Sequence, residues 1–118
     1  MSTATTAPDS HQRTLAGIVV HPLAFLFGIF GAGIMYLLSD GGFSKSNARH
    51  ALNWQLFFLI SVVALGAVFF TINSDLIGVM TGFLIMGLFF ADFAFCLWAT
   101  VKAIGSESWA YPFSPDIV

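Results

Sequence analysis

Polar residues in this chain are confined to a few short stretches, and between them run three apolar blocks, residues 15–38, 51–72 and 76–101. About 20 residues, rising roughly 1.5 Å each, cross a hydrocarbon core of about 30 Å, so every block is long enough to span with some tilt. Strand-like alternation with regular turns is absent, which argues against a barrel. In lipid the backbone N–H and C=O groups must then pair within helices. The pattern predicts an all-α integral membrane protein with three transmembrane helices. A cleaved signal peptide is the weaker reading of the first block, which exceeds the usual ~7–15-residue apolar core and has only Arg13 before it.

The separators predict the topology. Residues 1–14 are rich in Ser, Thr, Ala and Pro without an apolar period and read as a disordered tail, followed by a membrane domain over 15–118. Ser39-Asp40-Gly41-Gly42 ends the first span, and Ser44 or Ser46 is placed to cap the second helix. Asn73-Ser74-Asp75 is so short a connection that the second and third helices must form a tight hairpin. Gly105 closes the third helix, while Pro112 and Pro115 keep the final segment from continuing it. Lys45, Arg49 and Lys102 fall on one side of these spans and Arg13 on the other. The positive-inside rule therefore predicts a multi-pass plasma-membrane protein with its N-terminus outside and its C-terminus cytoplasmic. Tyr36, Trp54, Trp98, Trp109 and Tyr111 gather near that same face, where amphipathic rings prefer the headgroup layer.

Composition narrows the function. Hydrophobic residues make up 58% of the chain and charged ones 8%, against about a quarter charged in soluble domains, so lipid is the expected partner. Four Lys plus Arg cannot form a basic stripe, and no nucleic-acid partner is expected. Cys96 stands alone, so neither a disulfide within the chain nor a thiolate zinc set is available. No nucleophile with a nearby base and no phosphate-cradling loop is present; no catalytic, cofactor or metal site is expected, and the protein is not expected to be an enzyme.

Asp92 is the most informative single residue, because a carboxyl deep in a span costs several kcal/mol unless it faces protein. It shares a helix face with Thr81, Ile85, Leu88 and Cys96, and at its depth the second span offers Ser61 and the first the backbone near Gly28. A hydrogen-bonded lock is the favoured role, a proton or ion relay the alternative. With three spans, His21 would lie in the opposite half of the membrane and could not serve Asp92. The densest polar set is Asn47, Arg49, His50, Asn53, Trp54 and Gln55, where the second helix enters the membrane, on the same side as Glu107, Tyr111 and Pro112. Residues 47–55 and 109–112 are expected to pack as one rim. Gly28 with Ala32, Gly78 with Gly82 and Gly87 with Ala91 have the small-xxx-small spacing that lets helices approach, here most simply within the chain.

The run Asn47-Ala48-Arg49-His50-Ala51-Leu52-Asn53-Trp54-Gln55, then a hairpin, then Lys102-Ala103, Glu107 and Tyr111-Pro112, resembles a widespread prokaryotic family of small membrane proteins. That family includes the magnetosome membrane proteins MamF and MmsF, and it is distantly related to the Tic-twenty-like subunit of the chloroplast inner-envelope import translocon. The likeness covers roughly 21–118; His50 departs from a position where relatives often carry Glu, and Phe113 from one where Leu is usual. Import-translocon relatives carry a fourth span that is missing here, so the resemblance implies a shared fold more than protein conduction. The reading that results is a non-enzymatic assembly, scaffold or accessory membrane component, with a membrane-protein partner or a second copy at its cytoplasmic rim. A transporter or oligomeric channel subunit with Asp92 as titrating group is the alternative.

Overall fold

A computed structural model describes residues 14–118; apart from Thr14, the expected tail lies outside the described residues. Among the described residues the chain forms four helices and no strand: α1 (Leu15–Phe27), α2 (Ile29–Leu38), α3 (Gly42–Thr71) and α4 (Asp75–Ile104). The two 30-residue helices, α3 and α4, are long and apolar enough to cross a membrane. They pair antiparallel across the turn Ile72-Asn73-Ser74, where the Ser74 hydroxyl accepts the Ile77 N–H at 3.4 Å. Along the pair, the Phe58 and Phe89 rings meet edge to face at 5.1 Å. The short connection thus makes a helical hairpin.

The first apolar block does not form the third span expected of it. It breaks at Gly28 into helices of 13 and 10 residues, and at about 1.5 Å per residue neither reaches across a core of about 30 Å. Neighbours along α3 reveal the path. Gly17 lies against Phe43 and Ser44, His21 bonds Asn47, and Gly28 approaches Gln55, so α1 runs parallel to α3. Beyond Gly28 the order reverses: Gly33 faces Leu52, and Lys45 reaches back to the Tyr36 carbonyl at 2.9 Å. α1 and α2 are therefore the arms of a second, shorter hairpin, and both of its ends lie beside the start of α3.

Gly28 permits the reversal with φ 60° and ψ −136°, a conformation essentially reserved for glycine. Gly31 lets the arms close, since a Cβ there would run into the backbone carbonyl of Leu23. Small residues fill the seam: Val20 and Ala24 of α1, Ala32 of α2, and Ala48 and Ala51 of α3 are fully buried together. Ala32 thus packs internally, as the small-residue spacing suggests, whereas Gly28 is a hinge. Gly78 and Gly87 of α4 face open space, Gly82 meets the Phe69 ring of α3, and Ala91 packs against the cluster around Trp54.

One helix end differs from expectation. No serine caps α3: Gly41 takes the N-cap position, Ser44 donates weakly to its carbonyl at 3.4 Å, and Ser46 bonds Ser108 instead. α4 ends at Gly105 as expected, and Ser106 beyond it adopts the left-handed conformation, with φ 67°. Its N–H donates to Ala103 and that of Glu107 to Lys102, which closes the last turn.

Because the first block turns back, Thr14, Ser39, the start of α3 and the C-terminal segment all gather at one end of the bundle. Thr14 and the C-terminal segment at opposite ends, as three crossings would require, are not what this path produces.

Candidate functional site

Where the α1–α2 hairpin meets α3 and α4, a set of polar side chains is buried. Asp92 is 5% exposed. Its Oδ1 accepts the Trp54 indole N–H at 2.8 Å and the Gln55 amide at 2.9 Å, with the Cys96 thiol at 3.5 Å. Trp54 and Gln55 are adjacent on α3, so one helix turn supplies both strong donors. Two donors on one oxygen fix the orientation of the carboxyl against α3. The helical face inferred for Asp92 is the buried one, with Thr81 and Cys96. Ser61 does not reach the carboxyl; it lines a groove further along with Leu65 and Phe83.

His21 is fully buried in the same half of the bundle as Asp92, a consequence of the α1–α2 reversal that three spans would have forbidden. The Asn47 amide donates to the Phe43 carbonyl at 3.0 Å, which leaves its Oδ1 to accept the His21 Nε2–H at 2.7 Å. Nδ1 of a neutral His21 is then an acceptor, and the Tyr111 hydroxyl meets it at 2.6 Å. Donation runs in one direction, from Tyr111 through His21 and Asn47 to the Phe43 carbonyl. Burial, and after it the neighbouring Cys96 and Asp92, push the Tyr111 phenol well above its ordinary value, so it stays a neutral donor. Tyr111 Oη also lies 3.8 Å from Cys96 Sγ, which joins this chain to the Asp92 cluster.

Aromatic rings enclose the junction. Tyr111 stacks on Trp54 and meets Trp109 at 5.4 Å, while Phe95 packs edge-on against Trp54 at 5.1 Å. The C-terminal segment is bound over α3 at two further points: Ser46 and Ser108 share a hydrogen bond of 2.6 Å, and Asn53 Oδ1 accepts the backbone N–H groups of Ile117 and Val118 at 2.9 and 2.7 Å. Residues 47–55 and the segment from Trp109 are thus in direct contact.

The candidate residues divide into two sets. Asn47, Asn53, Trp54, Gln55, Asp92 and Tyr111 are buried and bonded to one another, to His21 and Cys96 or to the chain's own backbone, while Pro112 is half-buried in the covering segment. Arg49 is exposed, His50 half-exposed and close enough to Asp116 to feel its charge, and Glu107 pairs with Lys102 at 3.5 Å on the surface. His21 and Cys96 belong with the first set, and neither was singled out as a site residue from sequence. Among the described residues no group of three or more His, Cys, Asp or Glu could hold a metal ion.

A family model, the magnetosome magnetite crystal formation protein family, matches residues 11–118. The chain belongs to this family. Its match takes in both helical hairpins and the covering segment, so the polar junction lies wholly within the family's domain. No curated protein matches the chain, and no solved structure does.

Proposed function

We propose that the protein is a non-enzymatic accessory component of a membrane assembly, multi-pass through α3 and α4, with the α1–α2 hairpin entering one leaflet and leaving by the same face. Long apolar side chains point outward along both pairs, among them Leu26, Phe30 and Leu37 on the short hairpin and Phe70, Phe83 and Phe90 on the long one. A lipid surround satisfies them; water does not. Lys45, Arg49 and Lys102 sit at the end shared by Thr14 and the C-terminal segment, and the positive-inside rule makes that end cytoplasmic. Both ends of the described chain then face the cytoplasm.

The observation that carries this reading is the closure of the Asp92 cluster: the carboxyl is buried and bonded by Trp54 and Gln55, as a lock between α3 and α4 should be. A transporter would need Asp92 open to water. Arg49, His50, Glu107 and Asp116 remain at the rim to meet a membrane protein or a second copy. The family's name refers to magnetite crystal formation, and an accessory role in such a membrane suits this arrangement. A distant kinship with the Tic-twenty-like import subunit is part of the proposal, resting on residues 47–55 and extending to scaffold alone.

Affinity capture from native membranes through a C-terminal tag tests it. Companion proteins, or a second tagged copy, should be retained with Asp92→Asn and lost with Arg49→Glu combined with Glu107→Lys. Loss of the companions with a folded Asp92→Asn protein, and retention with the rim variant, would overturn the reading.

A further inference from the structure

We infer that the protein favours bilayers bent so that the leaflet on its C-terminal side is convex. The inference rests on the proposed membrane reading, in which the α1–α2 hairpin occupies a single leaflet. Its geometric basis is the unequal cross-section of the two halves. From Gly17 to Gly28, α1 runs beside Phe43 to Gln55 of α3, with α2 returning alongside and α4 completing the set. The C-terminal segment adds Tyr111, Trp109 and the Asn53-bound end to that same half. Beyond the Gly28 tip, at the level of Gln55 and Asp92, only α3 and α4 continue.

Depth follows from helix rise. Each long helix measures about 45 Å, close to the full thickness of a bilayer with its headgroups, and the short arms measure about 20 Å and 15 Å. The tip therefore stops near the midplane. A helix about 10 Å across occupies roughly 80 Å² in section, so two extra helices displace on the order of 160 Å² from one leaflet and nothing from the other. Leu26, Phe27, Phe30, Ile34 and Leu37 are exposed along the arms, so the displaced material is acyl chain and not headgroup alone. A leaflet enlarged in this way crowds a flat bilayer, and bending toward that leaflet relieves the crowding.

The hairpin is rigid enough to act as a wedge. Its seam is made of fully buried Val20, Ala24, Ala32, Ala48 and Ala51, and His21 pins α1 to both α3 and the C-terminal segment. Collapse of the arms into the interface plane would break these contacts.

The test uses the full chain, labelled at its C-terminal side, in giant vesicles of neutral lipid from which a narrow tube is pulled. Accessibility of the label to an impermeant quencher assigns the orientation. Protein with its C-terminal side on the outer, convex surface should be denser in the tube than in the parent vesicle, increasingly so as the tube narrows, and protein in the reverse orientation should be depleted. Equal densities in tube and vesicle overturn the inference; they are also what a second copy filling the narrow half would give. Enrichment in both orientations overturns it too. Single cysteines at Thr14 and Asp40, labelled in the same vesicles, separate this from failure of the membrane reading. Labelling from one face with no sorting sinks the wedge alone, whereas labelling from opposite faces sinks the hairpin itself.

Discussion

Tyr111 lies nearly flat on Trp54, with ring centroids 5.8 Å apart and planes inclined by 19°. The C-terminal segment thereby places a ring between α1, α3 and α4, with its hydroxyl on His21. Tyr111→Phe keeps the stack and removes one hydrogen bond, and should cost about 1 kcal/mol. Tyr111→Ala also empties a packed site and should cost about 3–5 kcal/mol. Thermal unfolding in detergent, followed by tryptophan fluorescence, measures both; equal losses would mean that the hydrogen bond, not the stack, holds the segment.

Asp92 discriminates among substitutions by what they offer Trp54 and Gln55. Asp92→Asn retains a carbonyl oxygen as acceptor and should leave an intact, membrane-inserted protein. Asp92→Leu orphans two buried donors, each worth about 1–3 kcal/mol. Asp92→Lys adds a third donor where an acceptor is required and should not fold. Yield and unfolding midpoint of the three variants are the readout, and a stable lysine variant would mean that the cluster is open to water.

The glycines should separate by position. Gly28→Ala forces a side chain into φ 60°, at a cost of roughly 1–3 kcal/mol, and Gly31→Ala must push α1 from α2. Gly66→Ala and Gly87→Ala meet open space in helix interiors and should be neutral or stabilising by up to about 1 kcal/mol. Ser106→Gly relieves a left-handed residue and should add about 1 kcal/mol. Uniform effects across the series, read as shifts in unfolding midpoint, would count against the Gly28 hinge.

The long hairpin was legible because block length and a short polar turn admit one solution. Gly28 was not: glycines are common in membrane helices, its spacing to Ala32 fits ordinary helix packing, and hydropathy reports composition without direction. The placement of His21 followed from that miss. Signals for the reversal were present, in Gly28, Gly31 and Gly33 clustered at the middle of the block and in every Trp and Tyr falling on one side. Asp92 was legible as a residue that faces protein, but its pairing with Trp54 and Gln55 depends on the register of two helices, which periodicity alone does not fix.

Contact between the C-terminal segment and α3 can be checked covalently. In a Cys96→Ser background, Ser46→Cys with Ser108→Cys replaces a 2.6 Å hydroxyl contact and should form a disulfide under mild oxidation. Persistently reduced thiols in membrane-inserted protein would release the segment from the fold.

The most direct test of the double-hairpin architecture is the sidedness of the first block. Single cysteines at Thr14, Asp40 and Ser108, each in the Cys96→Ser background, are treated with an impermeant thiol reagent on sealed, oriented membranes, with Asn73→Cys as the opposite-face control. The double hairpin predicts that the first three label together from one face and Asn73→Cys from the other; labelling of Thr14→Cys with Asn73→Cys, and of Asp40→Cys with Ser108→Cys, would contradict it and restore three crossings.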